Sequence, residues 1–125
     1  MSVKGFLLSV LFPAILIFAG CSRHAGMKKD AANIADAMCR NIGVIGNLKN
    51  TDPEDTLLVR RYKMEQLQIE AEMKTLYDQF KKKYGEKLKD DKFNKEFGKE
   101  LRKAMLDCPY LSKEDRENFE KQLEE

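Results

Sequence analysis

KFNKEFGKELRKAMLDCP, residues 92–109, decides the fold class of this chain. Phe93, Phe97, Leu101, Ala104, Met105 and Cys108 recur at i, i+4, i+8, i+11, i+12 and i+15. That spacing follows the 3.6-residue period of an α-helix and lays one apolar stripe along it, with lysines, glutamates and an arginine on the other side. Asp90 or Asp91 can cap the start of such a helix, because a short carboxylate accepts from the free amides of its first turn. Pro109 stops it, since proline lacks an N–H and restrains the residue before it. The expected helix spans about Lys92 to Leu106. Cys108 falls on its buried face or just past it.

The same period extends outward in both directions. Asp52, Pro53, Glu54 and Asp55 form a helix-start signal, with Asp52 as cap and Pro53 in the first helical position. The helix they open is expected to run to Tyr84, with Gly85 as its stop. Leu58, Tyr62, Ile69, Met73, Leu76, Phe80 and Tyr84 fall on one side of it, and Leu57, Met64, Leu67 and Ala71 widen that surface. Lys81, Lys82 and Lys83 lie in its last turn, where cations complement the helix dipole, a reading of the basic run that is preferred to the alternative of an anionic-lipid or polyanion site. Upstream, Ile34, Met38, Ile42 and Ile45 mark a helix from Ala31 to about Leu48, with Asp30 as cap and Cys39 at the stripe's edge. Gly43 and Gly46 either weaken its last turns, ending it as early as Asn41, or admit a close neighbour. Downstream, Ser112 with Asp115 makes a capping-box-like start for a short fourth helix carrying Phe119 and Leu123. No segment alternates with period two. The expected fold is all-α, a small helical bundle or hairpin of three to four helices, with helices one and three stapled across long helix two.

The first twenty residues are of another kind. Lys4 precedes a nearly unbroken apolar run from Phe6 to Ala19, interrupted only by Ser9 and Pro13. At ~1.5 Å per residue, its length of about 15 residues spans roughly 22 Å. A hydrocarbon core of ~30 Å usually takes ~20 residues, so the run suits an export signal better than a permanent span. It ends in Phe18-Ala19-Gly20-Cys21, which resembles the lipobox of bacterial lipoproteins, with Phe18 where the pattern usually has Leu. The resemblance covers this stretch alone. It implies a signal peptide over 1–20, cleavage after Gly20, lipid on the Cys21 thiol, and acylation of the new amino group. Residues 21–29 would then be a lipidated tether reaching ~28 Å at most at ~3.5 Å per residue, and 30–125 the helical domain. The alternative is an ordinary secretory signal or uncleaved anchor with an incidental cysteine.

Three cysteines are present, an odd number for an exported protein. If lipid takes Cys21, as the resemblance implies, Cys39 and Cys108 remain, and export places them where disulfides persist. A Cys39–Cys108 disulfide is therefore expected. Two buried free thiols are the plain alternative. A redox or metal pair is disfavoured, because no CxxC is present and no histidine accompanies them.

Composition sets the remaining bounds. The chain has 125 residues, enough for one domain, and 23 basic against 21 acidic residues leave a net charge of +2. That balance gives no reason to expect nucleic acid as a partner. The single histidine, His24, lies in the expected tether. Glu65, Glu70 and Glu72 read as helix ion pairs with neighbouring cations, Glu70 and Lys74 in the favoured order. Lys99 and Lys103 flank Glu96 and Glu100, which argues against a carboxylate metal site. No phosphate loop or hydrolase motif occurs. No cofactor, metal or catalytic residue is expected, and the chain is not read as an enzyme. The expected role is a membrane-anchored interaction or structural protein of the cell envelope, held to the membrane through Cys21, with another envelope protein as the expected partner of its helical face. The alternative is a carrier of a small apolar ligand. Ser22 after the cysteine favours the outer membrane in a Gram-negative source; a Gram-positive source would mean the plasma membrane.

Overall fold

The computed structural model describes the side chains of residues 26–125. The expected signal peptide at 1–20, Cys21 and His24 lie outside the described residues. Four α-helices occur among the described residues: α1 (Ser2–Asn50), α2 (Thr56–Tyr84), α3 (Asp91–Met105) and α4 (Lys113–Glu124). A 3-10 turn at Gly85–Lys89 joins α2 to α3. No strand occurs among the described residues, so the fold is all-α.

Local chemistry sets most of the boundaries. Asp90 caps α3 by accepting from the Lys92 amide at 3.0 Å, and Ser112 caps α4 by accepting from the Asp115 amide at 3.1 Å. Gly85 ends α2 at φ +43, a left-handed geometry that suits glycine, with its N–H donating to the Lys81 carbonyl. The start of α2 differs from expectation. Asp52 does not cap it and Pro53 is not in its first turn. Asp52 instead accepts from the Glu54 amide at 3.0 Å, folding residues 52–55 into a turn, and Asp55 caps the helix by accepting from the Leu58 amide at 3.2 Å. The chain must reverse direction after α1, and Asp-Pro is suited to that turn. A second aspartate three residues on then takes the capping role.

The start of the domain also differs. Residues 26–29, expected as tether, are helical, and Met27 is buried. Asp30 is inside α1 and caps nothing. Its carboxylate accepts from the Lys83 ammonium at 2.8 Å and the Tyr84 hydroxyl at 2.6 Å, both at the far end of α2.

The central helix is α1, not α2. Both α2 and α3 pack along α1, while their own backbones make no close approach to each other. Two rows on α1 explain this. Asp30, Ala37, Arg40 and Val44 share one side, and Asp30 and Arg40 reach α2. Ala31, Ala35, Cys39 and Ile42 share the other, and Cys39 is bonded to Cys108 just beyond α3. Ala31, Ala35 and Ala37 are almost completely buried, because small side chains let two neighbours approach one helix. The isoleucine stripe read from sequence is only half-buried, with Ile34, Met38 and Ile45 lying between these rows and Ile42 at the edge of the second. Side chains join α2 to α3 at the 3-10 turn, where the Phe80 ring lies 4.3 Å from Phe97 and the Tyr84 ring 5.0 Å from Phe93.

The expected disulfide is present, linking Cys39 to Cys108 across 69 residues of sequence. Closing a loop of that size restricts the unfolded chain by roughly 4 kcal/mol in the chain-entropy account. Its surroundings hold it in place. The Arg116 guanidinium on α4 donates to the Leu106 and Cys108 carbonyls, filling acceptors that the end of α3 leaves open. The Tyr110 ring lies against Gly43, where an added Cβ would fall 2.8 Å from it.

Gly43 is therefore the close approach that glycine permits, whereas Gly46 has nothing within 4 Å of an added Cβ. Gly46→Ala should raise the unfolding free energy by about 1 kcal/mol through helix propensity alone. Gly43→Ala should gain clearly less, because the Tyr110 ring must move. Equal gains in urea unfolding would contradict this packing.

Burial first, then the bond to Asp30, raise the Tyr84 hydroxyl above its ordinary range, and the bond to Asp30 raises the Lys83 ammonium against the cost of partial burial. A group raised in the folded state contributes stability fully below its unfolded pKa and loses it as pH passes the folded value. This clasp should therefore contribute fully below the ordinary tyrosine value of about 10 and be lost only as pH rises through the higher value of folded Tyr84. Alkaline absorbance titration should show one of the four tyrosines ionising last, and Tyr84→Phe should remove that step. Four phenols titrating together would refute the clasp.

Candidate functional site

The residues singled out from sequence fall into three groups. Cys21 and His24 lie outside the described residues. Cys39 and Cys108 are joined, with Cys108 buried, so neither sulfur is available as a nucleophile or metal ligand. Of the carboxylates singled out, Glu72 pairs with Arg40 and Glu100 with Lys103, and Asp30 binds Lys83 and Tyr84. Among the described residues no group of three histidine, cysteine or carboxylate side chains is placed to hold a metal ion. Among them, too, no helix is long and apolar enough to cross a membrane.

Sequence reasoning assigned Glu72 to an ordinary pair along its own helix. The structure turns it toward α1, where the Arg40 guanidinium grips both oxygens at 2.6 and 3.0 Å. Asp36 completes the group at 3.0 Å from Arg40 Nε. The hydrogen bond from Arg40 holds the Glu72 carboxyl below its usual range. Both partners are substantially exposed, so the pair fixes the register of α2 on α1 more than it stabilises the fold. Glu70 and Lys74 form no such bridge. The sequence signal for the pair is absent, because Arg40 and Glu72 stand 32 positions apart.

Two apolar features remain once these pairs are removed. The first is a cleft of about 270 Å³ that opens over α1 where α2 and α3 diverge. Ile34 and Met38 of α1, Met73 and Leu76 of α2, and Phe97 and Leu101 of α3 line it, with almost no polar surface. It exists because α2 and α3 are each fastened to α1 and not, along most of their length, to each other. Small-ligand pockets usually run from ~300 Å³ upward, so this one suits a single short hydrocarbon chain.

The second is the outer face of α2. Leu57, Met64 and Leu67, expected to widen the buried surface, are instead 78%, 57% and 65% exposed. Helical periodicity places them opposite Ile69 and Phe80, the α2 residues buried in the core. The sequence pattern made α2 apolar on two sides, and it has a partner on one. Arg60, Arg61, Glu65 and Gln68 border this face.

No protein-family model matches the chain, and neither the curated proteins nor the solved structures contain a significant match.

Filling the cleft tests whether it is open in solution. Leu101→Trp should weaken binding of an apolar fluorescent dye by about tenfold or more, equivalent to ~1.4 kcal/mol, with helix content unchanged. Unaltered dye binding in a folded variant would show that the cleft is not where apolar molecules enter.

Proposed function

We propose that this chain is a lipid-anchored protein of the bacterial cell envelope whose helical domain serves as a non-catalytic interaction or structural module. The observation that carries the reading is the pairing of Cys39 with Cys108. It leaves Cys21 as the odd cysteine, and that residue follows a basic start, an apolar run and two small residues, the setting in which lipoproteins are acylated. A disulfide also fits an exported chain, because such bonds persist outside the reducing cytosol. Two or three acyl chains at ~0.8 kcal/mol per buried methylene would hold it firmly on a membrane. Ser22 after the cysteine favours an outer-membrane address in a Gram-negative source, and the plasma membrane is the address in a Gram-positive one.

The interaction role rests on the unpartnered outer face of α2 and on polar groups committed to holding helices together. The second reading, a carrier of a small apolar ligand, is favoured by one observation, the apolar cleft over α1.

Intact-mass measurement of protein purified from its native envelope, before and after reduction, tests the anchor. The expected species begins at Cys21, carries acyl chains, and gains two hydrogens on reduction. A chain retaining residues 1–20, or bearing no lipid on Cys21, would contradict the reading.

A further inference from the structure

We propose that the end of the domain nearest the anchor is a lysine collar that binds the anionic headgroups of the bilayer in which Cys21 is held. The inference rests on the lipoprotein reading for the anchor and on the fold for the collar. In the sequence, Lys28 and Lys29 are far from the run Lys81, Lys82 and Lys83, which helix-dipole chemistry already accounts for. The structure brings them together. Lys83 reaches Asp30 at 2.8 Å, and its Nζ lies 3.4 Å from where a Cβ on Gly26 would stand. Gly26 is five residues beyond Cys21. The last turn of α2 therefore sits beside the point where the chain leads to its anchor. Tilted packing of Phe93 against Tyr84 brings the start of α3 and the 3-10 turn, with Lys87 and Lys89, to the same end.

Charge at the two ends of the domain is unequal. Residues 28–30 and 78–92 carry eight lysines against five carboxylates. Several of those carboxylates are already engaged: Asp30 by Lys83 and Tyr84, Asp90 as the cap of α3, and Glu86 by Lys89. Lys28, Lys29, Lys81, Lys82 and Lys87 are exposed with no carboxylate within bridging distance. At the opposite tip, counted equally far into α2, residues 47–62 carry Asp52, Glu54 and Asp55 against Lys49, Arg60 and Arg61, so that end is neutral where the anchor end is net basic. A domain with this polarity orients with its basic end toward an anionic surface. The attraction falls off within a screening length of about 8 Å at physiological salt, so it acts only on lysines close to the anchor. Helix dipole alone accounts for Lys81–Lys83 but not for Lys28, Lys29 or Lys87 at the same end.

The test uses the full-length mature protein mixed with vesicles of phosphatidylcholine alone, or of phosphatidylcholine with phosphatidylglycerol. Flotation reports anchoring. The acetylation rate of each lysine, read by mass spectrometry, reports the collar. Lys28, Lys29, Lys81, Lys82, Lys87 and Lys89 should react several-fold more slowly on the anionic vesicles than on the neutral ones, while Lys49 and Lys113 react equally on both. High salt should abolish the difference, and Lys81→Glu with Lys82→Glu should reduce it without unfolding an exposed helix end. Flotation with both vesicles and equal lysine rates would overturn the collar and leave the anchor standing. Flotation with anionic vesicles alone would overturn the anchor and support the collar. Flotation with neither would overturn both.

Discussion

The bond between Cys39 and Cys108 makes α1 a central helix rather than one member of a hairpin. Without it, α3 would be held to α1 by a short apolar stripe alone, and to α2 by the aromatic contacts around Phe80. The buried hydrophobic core of the described chain is nine residues, three of them alanine, which is little apolar surface for a domain of this length. A covalent constraint of roughly 4 kcal/mol is then a large share of the ~5–15 kcal/mol that separates a typical folded domain from its unfolded chain. Arg116 and Tyr110 belong to the same device, since both pack the segment after α3 against the end of the staple. The short α4, which packs on α3, keeps Arg116 in place.

Sequence periodicity made the helices legible because it is a local property. Phe93 to Cys108 repeat at helical spacing whatever their neighbours are, and the caps at Asp90 and Ser112 act within a few residues. Which helix lies in the middle was not legible. Ala31, Ala35 and Ala37 carry little hydrophobic signal, yet they are among the most deeply buried residues, because their smallness matters only when two other helices arrive. The larger Leu57, Met64 and Leu67 gave a stronger signal and stand in solvent. Asp30 illustrates the same limit: its local context suits a cap, and its actual partners are more than fifty positions away.

The surfaces follow from that arrangement. Because α2 and α3 are both fastened to α1, an apolar cleft opens between them and the outer side of α2 has no partner. Because α2 runs back along α1, its basic end returns to the start of the domain and its acidic entry turn lies at the far tip. A helix that continues through residues 26–29 leaves little slack between such a domain and a lipid at Cys21. Orientation, rather than reach, is what this geometry offers an anchored protein.

Urea unfolding of the oxidised and reduced protein, followed by far-ultraviolet circular dichroism, tests the central constraint most directly. The staple's role predicts that reduction lowers the unfolding free energy by about 4 kcal/mol, with the denaturation midpoint falling accordingly. Coincident unfolding curves for the two forms, with thiol counting confirming that reduction was complete, would contradict it.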